Sequence, residues 1–247
     1  MATSGKTTSS ELANQIAVVT GAARGIGEAV ARSLARMGAT VVLVARDQQR
    51  LNAVAAEIEG EGGRAIGMAC DLTEVQAIEA LGAKITDKFG RCDILINNAG
   101  IGLAGKPLVE LEPAEWDRLM DTNLRAPYLM IRALAPLMIA AQSGHIINIS
   151  SLAGRNTLPN GTAYATSKWG LNGLTYSVAE ELRQFNVRVS VVAPGSVNTQ
   201  FGAVPGRSKD PSRMIQPDDV AHAVTALITQ APTSFISEVL LRPTMKP

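Results

Sequence analysis

Seven short runs of mostly apolar, often β-branched residues recur along the chain, at 16–20, 40–44, 65–69, 93–97, 145–150, 187–192 and 236–241. These are predicted strands. Several are apolar at consecutive positions, as in IAVVT and TVVLV. A strand with one wet face would alternate, so these strands must be covered on both faces, the condition of a parallel sheet between two helix layers. The intervening segments carry apolar residues at three- and four-residue spacing: Ile26, Val30, Leu34 and Met37, then Leu51, Val54, Ala55 and Ile58, then Val75, Ile78, Leu81 and Ile85. Each lays one stripe on a sheet. Gly38 closes the first, Thr73 precedes the third, and Pro217 with Asp218 and Asp219 opens the last. The regular alternation predicts an α/β chain: one Rossmann-type domain with a doubly wound, seven-stranded parallel sheet. Its 247 residues, 46% apolar and 18% charged, suffice for a single core over 11–247. The small polar residues 1–10 read as a flexible tail. The stretch 201–216, rich in Gly, Pro and charge and without periodicity, reads as a substrate loop.

Composition narrows the partners. A net charge of +1, from 23 basic and 22 acidic residues without long blocks, offers no footprint for nucleic acid or acidic lipid. Small molecules are the expected partners. Cys70 and Cys92 form neither a metal-type pair nor a disulfide framework, so no metal site is expected. His145 and His222 have no triad partners and read as structural. The first ten residues lack the basic start and apolar stretch of a secretory signal. The most apolar segment, 126–141, is interrupted by Pro127, Arg132 and Pro136, short of the ~20 uninterrupted apolar residues of a membrane span. A cytoplasmic protein follows as the expectation.

After the first strand comes TGAARGIG, with Gly21, Gly25 and Gly27 where the chain must turn sharply into a helix. Glycine permits close backbone approach, and the helix start offers free N–H groups to a pyrophosphate. A plain glycine-rich turn is the competing reading. Further along, Tyr164 and Lys168 stand at i and i+4 on a predicted helix and share one face. An ammonium beside a phenol favours the phenolate and lowers a pKa that starts near ~10. An isolated Tyr-x-x-x-Lys pair is more often an exposed helix face.

Taken in order, TGAARGIG, Asp71, NNAG at 97–100, Ser151, Tyr164-x-x-x-Lys168 and Pro194-Gly195 resemble the motifs of the short-chain dehydrogenase/reductase family over roughly residues 14–241. Among its branches the chain is most similar to 3-oxoacyl-carrier-protein-reductase-like members, although Arg242-Pro243-Thr244 stands where an Asp-Gly-Gly-type ending is common. The resemblance implies hydride transfer between a nicotinamide cofactor and a carbonyl or alcohol. It also implies a homodimer or homotetramer. Tyr164 would be the acid/base and Lys168 its partner, while Asn123 would support a water that links the lysine to solvent. An Asn near Pro127 is equally at home in a local kink. Ser151 would hold the substrate oxygen; Ser150 is its rival, and an alternating strand points the two to opposite faces.

Cofactor contacts implied by the same likeness fall on Gly21, Arg24, Gly25, Ile26 and Gly27, on Arg46, on Asp71 and Leu72 near the adenine, on Asn97, Ala99 and Gly100, on Tyr164 and Lys168, and on Pro194, Gly195, Val197 and Thr199 along the nicotinamide. Asp71 also reads as a helix-capping acid before Thr73. Just after Val44, where an acid would bind the ribose hydroxyls of NAD, stand Ala45 and Arg46. With Arg24 they favour the 2′-phosphate of NADP(H), unless Asp47 occupies that place. The residues expected to line the substrate pocket, Leu152, Arg155, Asn156, Thr157, Leu158 and Asn160, spell no one chemical group. A catalytically silent dinucleotide-binding regulator is the alternative to an enzyme.

Overall fold

The structure is a computed structural model that describes residues 11–102, 105–201 and 210–247. The expected tail 1–10 and the middle of the expected loop, 202–209, lie outside the described residues. Strands β1 (Ile16–Thr20), β2 (Thr40–Ala45), β3 (Arg64–Ala69), β4 (Ile94–Asn97), β5 (Gly144–Ile149), β6 (Val187–Pro194) and β7 (Glu238–Leu241) form one sheet in the order 3-2-1-4-5-6-7. Each adjacent pair is parallel. Between them run α1 (Gly25–Arg36), α2 (Gln48–Gly60), α3 (Val75–Phe89), α4 (Pro113–Met120), α5 (Ala126–Ala141), α6 (Thr162–Leu182) and α7 (Pro217–Ile228).

The consecutive apolar positions are explained by the two cores they feed. Ala17 and Val19 join Leu34, Ile58 and Val224 on one side of the sheet, which is covered by α1, α2 and α7. Ile16 and Val18 join Ile78, Met130 and Leu182 on the other, which is covered by α3, α5 and α6. Period-two side-chain direction thus splits an unbroken apolar run between two layers. Each fully buried Val, Leu or Ile contributes roughly 1.5–3 kcal/mol.

Several local expectations shift by a residue or two. The last strand starts at Glu238 rather than 236, because the Ile236 carbonyl is taken by the Ser190 hydroxyl. Thr73 does not cap α3; Glu74 stands at that position, and Thr73 donates its N–H and hydroxyl back to Asp71 Oδ1. A π-helical turn, Asp121–Arg125, joins α4 to α5, so helical backbone continues over 29 residues, Pro113–Ala141, and its most apolar 18-residue stretch has mean hydropathy 1.3. By length and composition alone this run would pass for a membrane span. Its apolar residues Leu129, Met130, Leu134 and Met138 are instead buried against the sheet's second face.

At the amino end of the sheet, remote from the strand carboxyl ends, His145 Nε2 lies 2.9 Å from Ser190 Oγ, whose own proton goes to the Ile236 carbonyl. Nε2 therefore carries the ring proton, and Nδ1 is a buried acceptor without a hydrogen-bond partner. Burial, with Arg188 nearby, pushes the His145 pKa down to about 3. The folded protein holds the imidazole neutral, whereas the unfolded chain protonates it near ~6.5. This stability is complete above that pH and is lost as pH falls toward 3, by about 1.4 kcal/mol per pH unit. Denaturant midpoints measured between pH 7 and 4 should show this slope, and His145→Gln, which keeps an N–H for Ser190, should flatten it. An identical slope in the variant would exclude His145 as its source.

Candidate active site

The reversal of strand order between β1 and β4 opens a crevice at their carboxyl ends, where doubly wound sheets receive ligands. The glycine turn lies there. Gly21 and Gly25 have φ of +66° and +61°, left-handed conformations that side chains resist. A Cβ at Gly27 would stand 2.3 Å from the Gly21 carbonyl oxygen. The turn leads into α1 with Arg24 at the N-cap position and no side-chain cap, which leaves the first-turn N–H groups for a ligand. Its shape is held from β4: Thr20 Oγ1 accepts from the N–H groups of Asn98 and Ala99, and Asn98 Nδ2 donates to the Thr20 carbonyl. Asn98, part of the NNAG motif but given no cofactor contact there, thus fastens the turn. The Asn97 side chain faces inward instead, donating to Asn148 within the sheet.

At the edge of this turn Arg24 and Arg46 are exposed. Arg24 Nη1 donates to Gln200 Oε1 at 3.0 Å, and Arg50 Nε donates to the Ala23 carbonyl at 3.0 Å, placing a third guanidinium beside the turn. Asp47, the competing acid, serves as the N-cap of α2, its carboxylate accepting from Arg50 N–H. Asp71, after β3, is exposed, and Leu72 beside it is buried. The two Thr73 donors hold the Asp71 carboxyl below its ordinary range.

On the other side of the crevice, β5 ends at Ile149 and delivers Ser150 and Ser151 to different surroundings. Ser150 is buried with its hydroxyl toward the Lys168 carbonyl. Ser151 Oγ accepts from Ala153 N–H at 3.1 Å, and its hydroxyl lies on the side of the Tyr164 phenol, which it influences electrostatically. Strand alternation thus puts only Ser151 on the tyrosine side. Lys168 Nζ stands 5.9 Å from the Tyr164 ring centroid and donates to the Ile149 carbonyl at 2.9 Å.

Asn123 sits in the π-helical turn, fully buried, and exchanges two hydrogen bonds with the backbone of Ile101, at 2.8 and 2.9 Å. Its Nδ2 also donates to Ser167 Oγ on α6. The π turn, and not a proline kink, brings this side chain across. A Cβ on Gly100 would lie 3.3 Å from Asn123 Oδ1 and 3.8 Å from Lys168 Nζ, so both groups border the same small face. Ser167 was not anticipated; its only sequence signal is its place one residue before Lys168.

Electrostatics correct one expectation. The Tyr164 phenol is pushed up, not down: burial dominates, and the nearby Ser151 hydroxyl offsets part of it. Lys168 is itself fully enclosed, and desolvation lowers its pKa to about 8. A cation 5.9 Å from the ring centroid does not outweigh that desolvation. Pro194 ends β6, and Gly195 N–H donates to the Leu241 carbonyl. Val197 pairs with Ile215 in a parallel bridge, so that end of the expected loop is held to the segment following β6, with a 3-10 turn at Pro211–Arg213. Thr199 faces the glycine turn, its Cγ2 3.2 Å from where a Cβ of Gly25 would be. Phe201 sets its ring 6.0 Å from that of Tyr164. Among the described residues, no three His, Cys, Asp or Glu side chains gather as a metal site.

The short chain dehydrogenase family model matches residues 15–208. A crystal structure of a metagenomic short-chain oxidoreductase in complex with NADP is 56% identical, covers 96% of this chain and 100% of its own, and superposes with a TM-score of 0.85. The alcohol dehydrogenase of the archaeon Thermococcus sibiricus, complexed with 5-hydroxy-NADP, is 30% identical over 94% of this chain and 98% of its own, with a TM-score of 0.86. The 3beta-hydroxysteroid dehydrogenase of Mediterraneibacter gnavus is 40% identical over 75% of this chain and 67% of its own.

Proposed function

The chain belongs to the short-chain dehydrogenase family, and from that membership we propose that it is an NADP(H)-dependent oxidoreductase acting on a small carbonyl or alcohol. The observation that carries this reading is the meeting of the Ser151 hydroxyl, the Tyr164 phenol and the buried Lys168 at the carboxyl edge of β5, across the crevice from the glycine turn.

The residues fit the cofactor. The uncapped start of α1 and the cradle at Gly21, Gly25 and Gly27 suit a pyrophosphate, with Ile26 in the same first turn. Arg24 and Arg46 suit a 2′-phosphate, Asp71 and Leu72 the adenine, and Ala99 and Gly100 the floor between the two ends. Pro194, Gly195, Val197 and Thr199 would lie along the nicotinamide. The cofactor supplies or accepts the hydride. As negative charge develops on the substrate oxygen, Tyr164 hands its phenolic proton to that oxygen while the Ser151 hydroxyl donates to it. Lys168 holds a positive charge next to the tyrosine, and Asn123 supports the route by which its proton is replaced.

The NADP complexes of two relatives support this choice of cofactor, and the pair of arginines with no acid at Ala45 supports it independently. A silent regulator would be expected to lack the serine, the tyrosine or the lysine; all three are present. Because one relative is an alcohol dehydrogenase and another a steroid dehydrogenase, the substrate is assigned as a class. A homodimer or homotetramer in a cytoplasmic setting completes the reading.

The test is a carbonyl panel that includes aldehydes, ketosteroids and a 3-oxoacyl thioester, with NADPH absorbance as readout. Turnover on at least one member is expected. Reductive turnover should fall as pH rises through about 8, where Lys168 loses its proton and Tyr164 its cationic neighbour. Tight NADPH binding with no turnover on any member would favour the regulator instead.

A further inference from the structure

Ser151 does not leave β5 on a free loop. It caps a 3-10 turn, Leu152–Gly154, whose internal hydrogen bonds run from Gly154 N–H to the Ser151 carbonyl and from Arg155 N–H to the Leu152 carbonyl. Behind the turn, Asn172 Nδ2 on α6 donates to the Gly154 carbonyl at 2.9 Å, and a Cβ on Gly154 would stand 2.8 Å from the Lys168 carbonyl oxygen. In front, Leu152 presses on the segment after β6: a Cβ on Gly195 would meet Leu152 Cδ1 and Pro243 Cδ, each at 3.2 Å.

The exit of the turn is Arg155. Sequence reading placed it on the substrate pocket, but its guanidinium turns toward β7, where Nε and Nη2 grip the two oxygens of Glu238 at 2.8 and 2.7 Å. The same Nη2 donates to the Tyr176 hydroxyl on α6, and the guanidinium carbon lies 5.2 Å from the Tyr176 ring centroid. An exposed ion pair would contribute little. This one is bidentate, partly shielded and shared with a third group, so it restricts direction as well as adding attraction.

We propose that Arg155 is a positioning residue: clamped to Glu238 and Tyr176, it fixes the turn that aims the Ser151 hydroxyl at Tyr164. Misplacement of a reacting group by about 1 Å can cost as much as ~100-fold in rate. The clamp therefore acts on chemistry through Ser151 and leaves the dinucleotide cradle alone. This rests on the oxidoreductase reading for its kinetic consequence, but not for its geometric one.

The experiment compares Arg155→Gln, Glu238→Gln, Ser151→Ala and the double variant Ser151→Ala/Arg155→Gln in the full chain. The geometric readout uses 13Cζ-labelled tyrosine in the protein without ligand at neutral pH; the three tyrosines are assigned by Tyr→Phe replacements. Arg155→Gln should move the Tyr164 signal in the same direction as Ser151→Ala and add no further shift in the Ser151→Ala background. Kinetically, Arg155→Gln should lower kcat about 10- to 100-fold with KM for NADPH within about twofold, and should cost nothing further once Ser151 is gone. Arg155→Lys, which keeps charge without the fork, should recover part of the loss. If Arg155→Gln melts far below the parent, Glu238→Gln, which keeps side-chain shape, carries the same comparison. An unmoved Tyr164 signal in both clamp variants overturns the proposal. An equal further loss of kcat in the Ser151→Ala background does so too, since it marks a general structural effect. A shifted signal in a protein that reduces no member of the carbonyl panel upholds the clamp and sinks the proposed function.

Discussion

Tyr164→Phe should lower kcat for carbonyl reduction by at least ~100-fold while leaving the fold and NADPH affinity nearly intact. The change keeps ring volume and removes one hydroxyl, so the contact with the Phe201 ring survives. What disappears is the proton donor. General acid/base catalysis contributes typically ~10²–10⁴-fold, and here the same hydroxyl also donates to the developing oxyanion. Steady-state kinetics on any reduced member of the carbonyl panel, with NADPH titrated by fluorescence, separates the two effects. Near-normal turnover in the variant would remove Tyr164 as the donor. Lys168→Ala should harm both readouts, because it removes the ammonium 5.9 Å from the phenol ring centroid together with a proposed contact to the cofactor.

The double replacement Arg24→Ala/Arg46→Ala should weaken NADPH binding by at least ~100-fold and leave NADH binding within a few-fold. Each charge-assisted contact to a phosphate is worth roughly 1.5–3 kcal/mol, so two lost together correspond to about 10²–10⁴-fold. Both side chains are exposed, which favours the lower end. Arg24 is held near the turn by Gln200, so Gln200→Ala should produce a small shift in the same direction. Parent affinities that are equal for NADPH and NADH would contradict the assignment, as would a double variant that keeps its NADPH preference. In the latter case Arg50, fixed to the Ala23 carbonyl, would be the remaining guanidinium to remove.

How much was legible beforehand follows the range of the interactions involved. Seven strands covered on both faces, the stripes Leu51–Val54–Ala55–Ile58 and Ile78–Leu81–Ile85, and a glycine turn opening α1 are written in unbroken apolar runs, in a spacing of three to four residues and in backbone freedom at single glycines. Such signals are local. The sequence by itself therefore determined the layer architecture, the place of the crevice and the residue types brought to it.

Tertiary structure decided what depends on contacts between distant segments. Alternation sends the Ser150 and Ser151 hydroxyls to opposite faces, but it is the placing of α6 that sets Tyr164 on the Ser151 side and the Lys168 carbonyl beside Ser150. Asn123 carries no local mark of the π turn that presents it to Ile101 and Ser167. Arg155 became a clamp on Glu238, claimed by a partner 83 residues away that no short-range pattern names. The Tyr164 phenol shows the cause most directly. Its spacing from Lys168 foretells a lowered pKa, yet burial raises it, because desolvation is set by everything packed around a group and not by its neighbours along the helix.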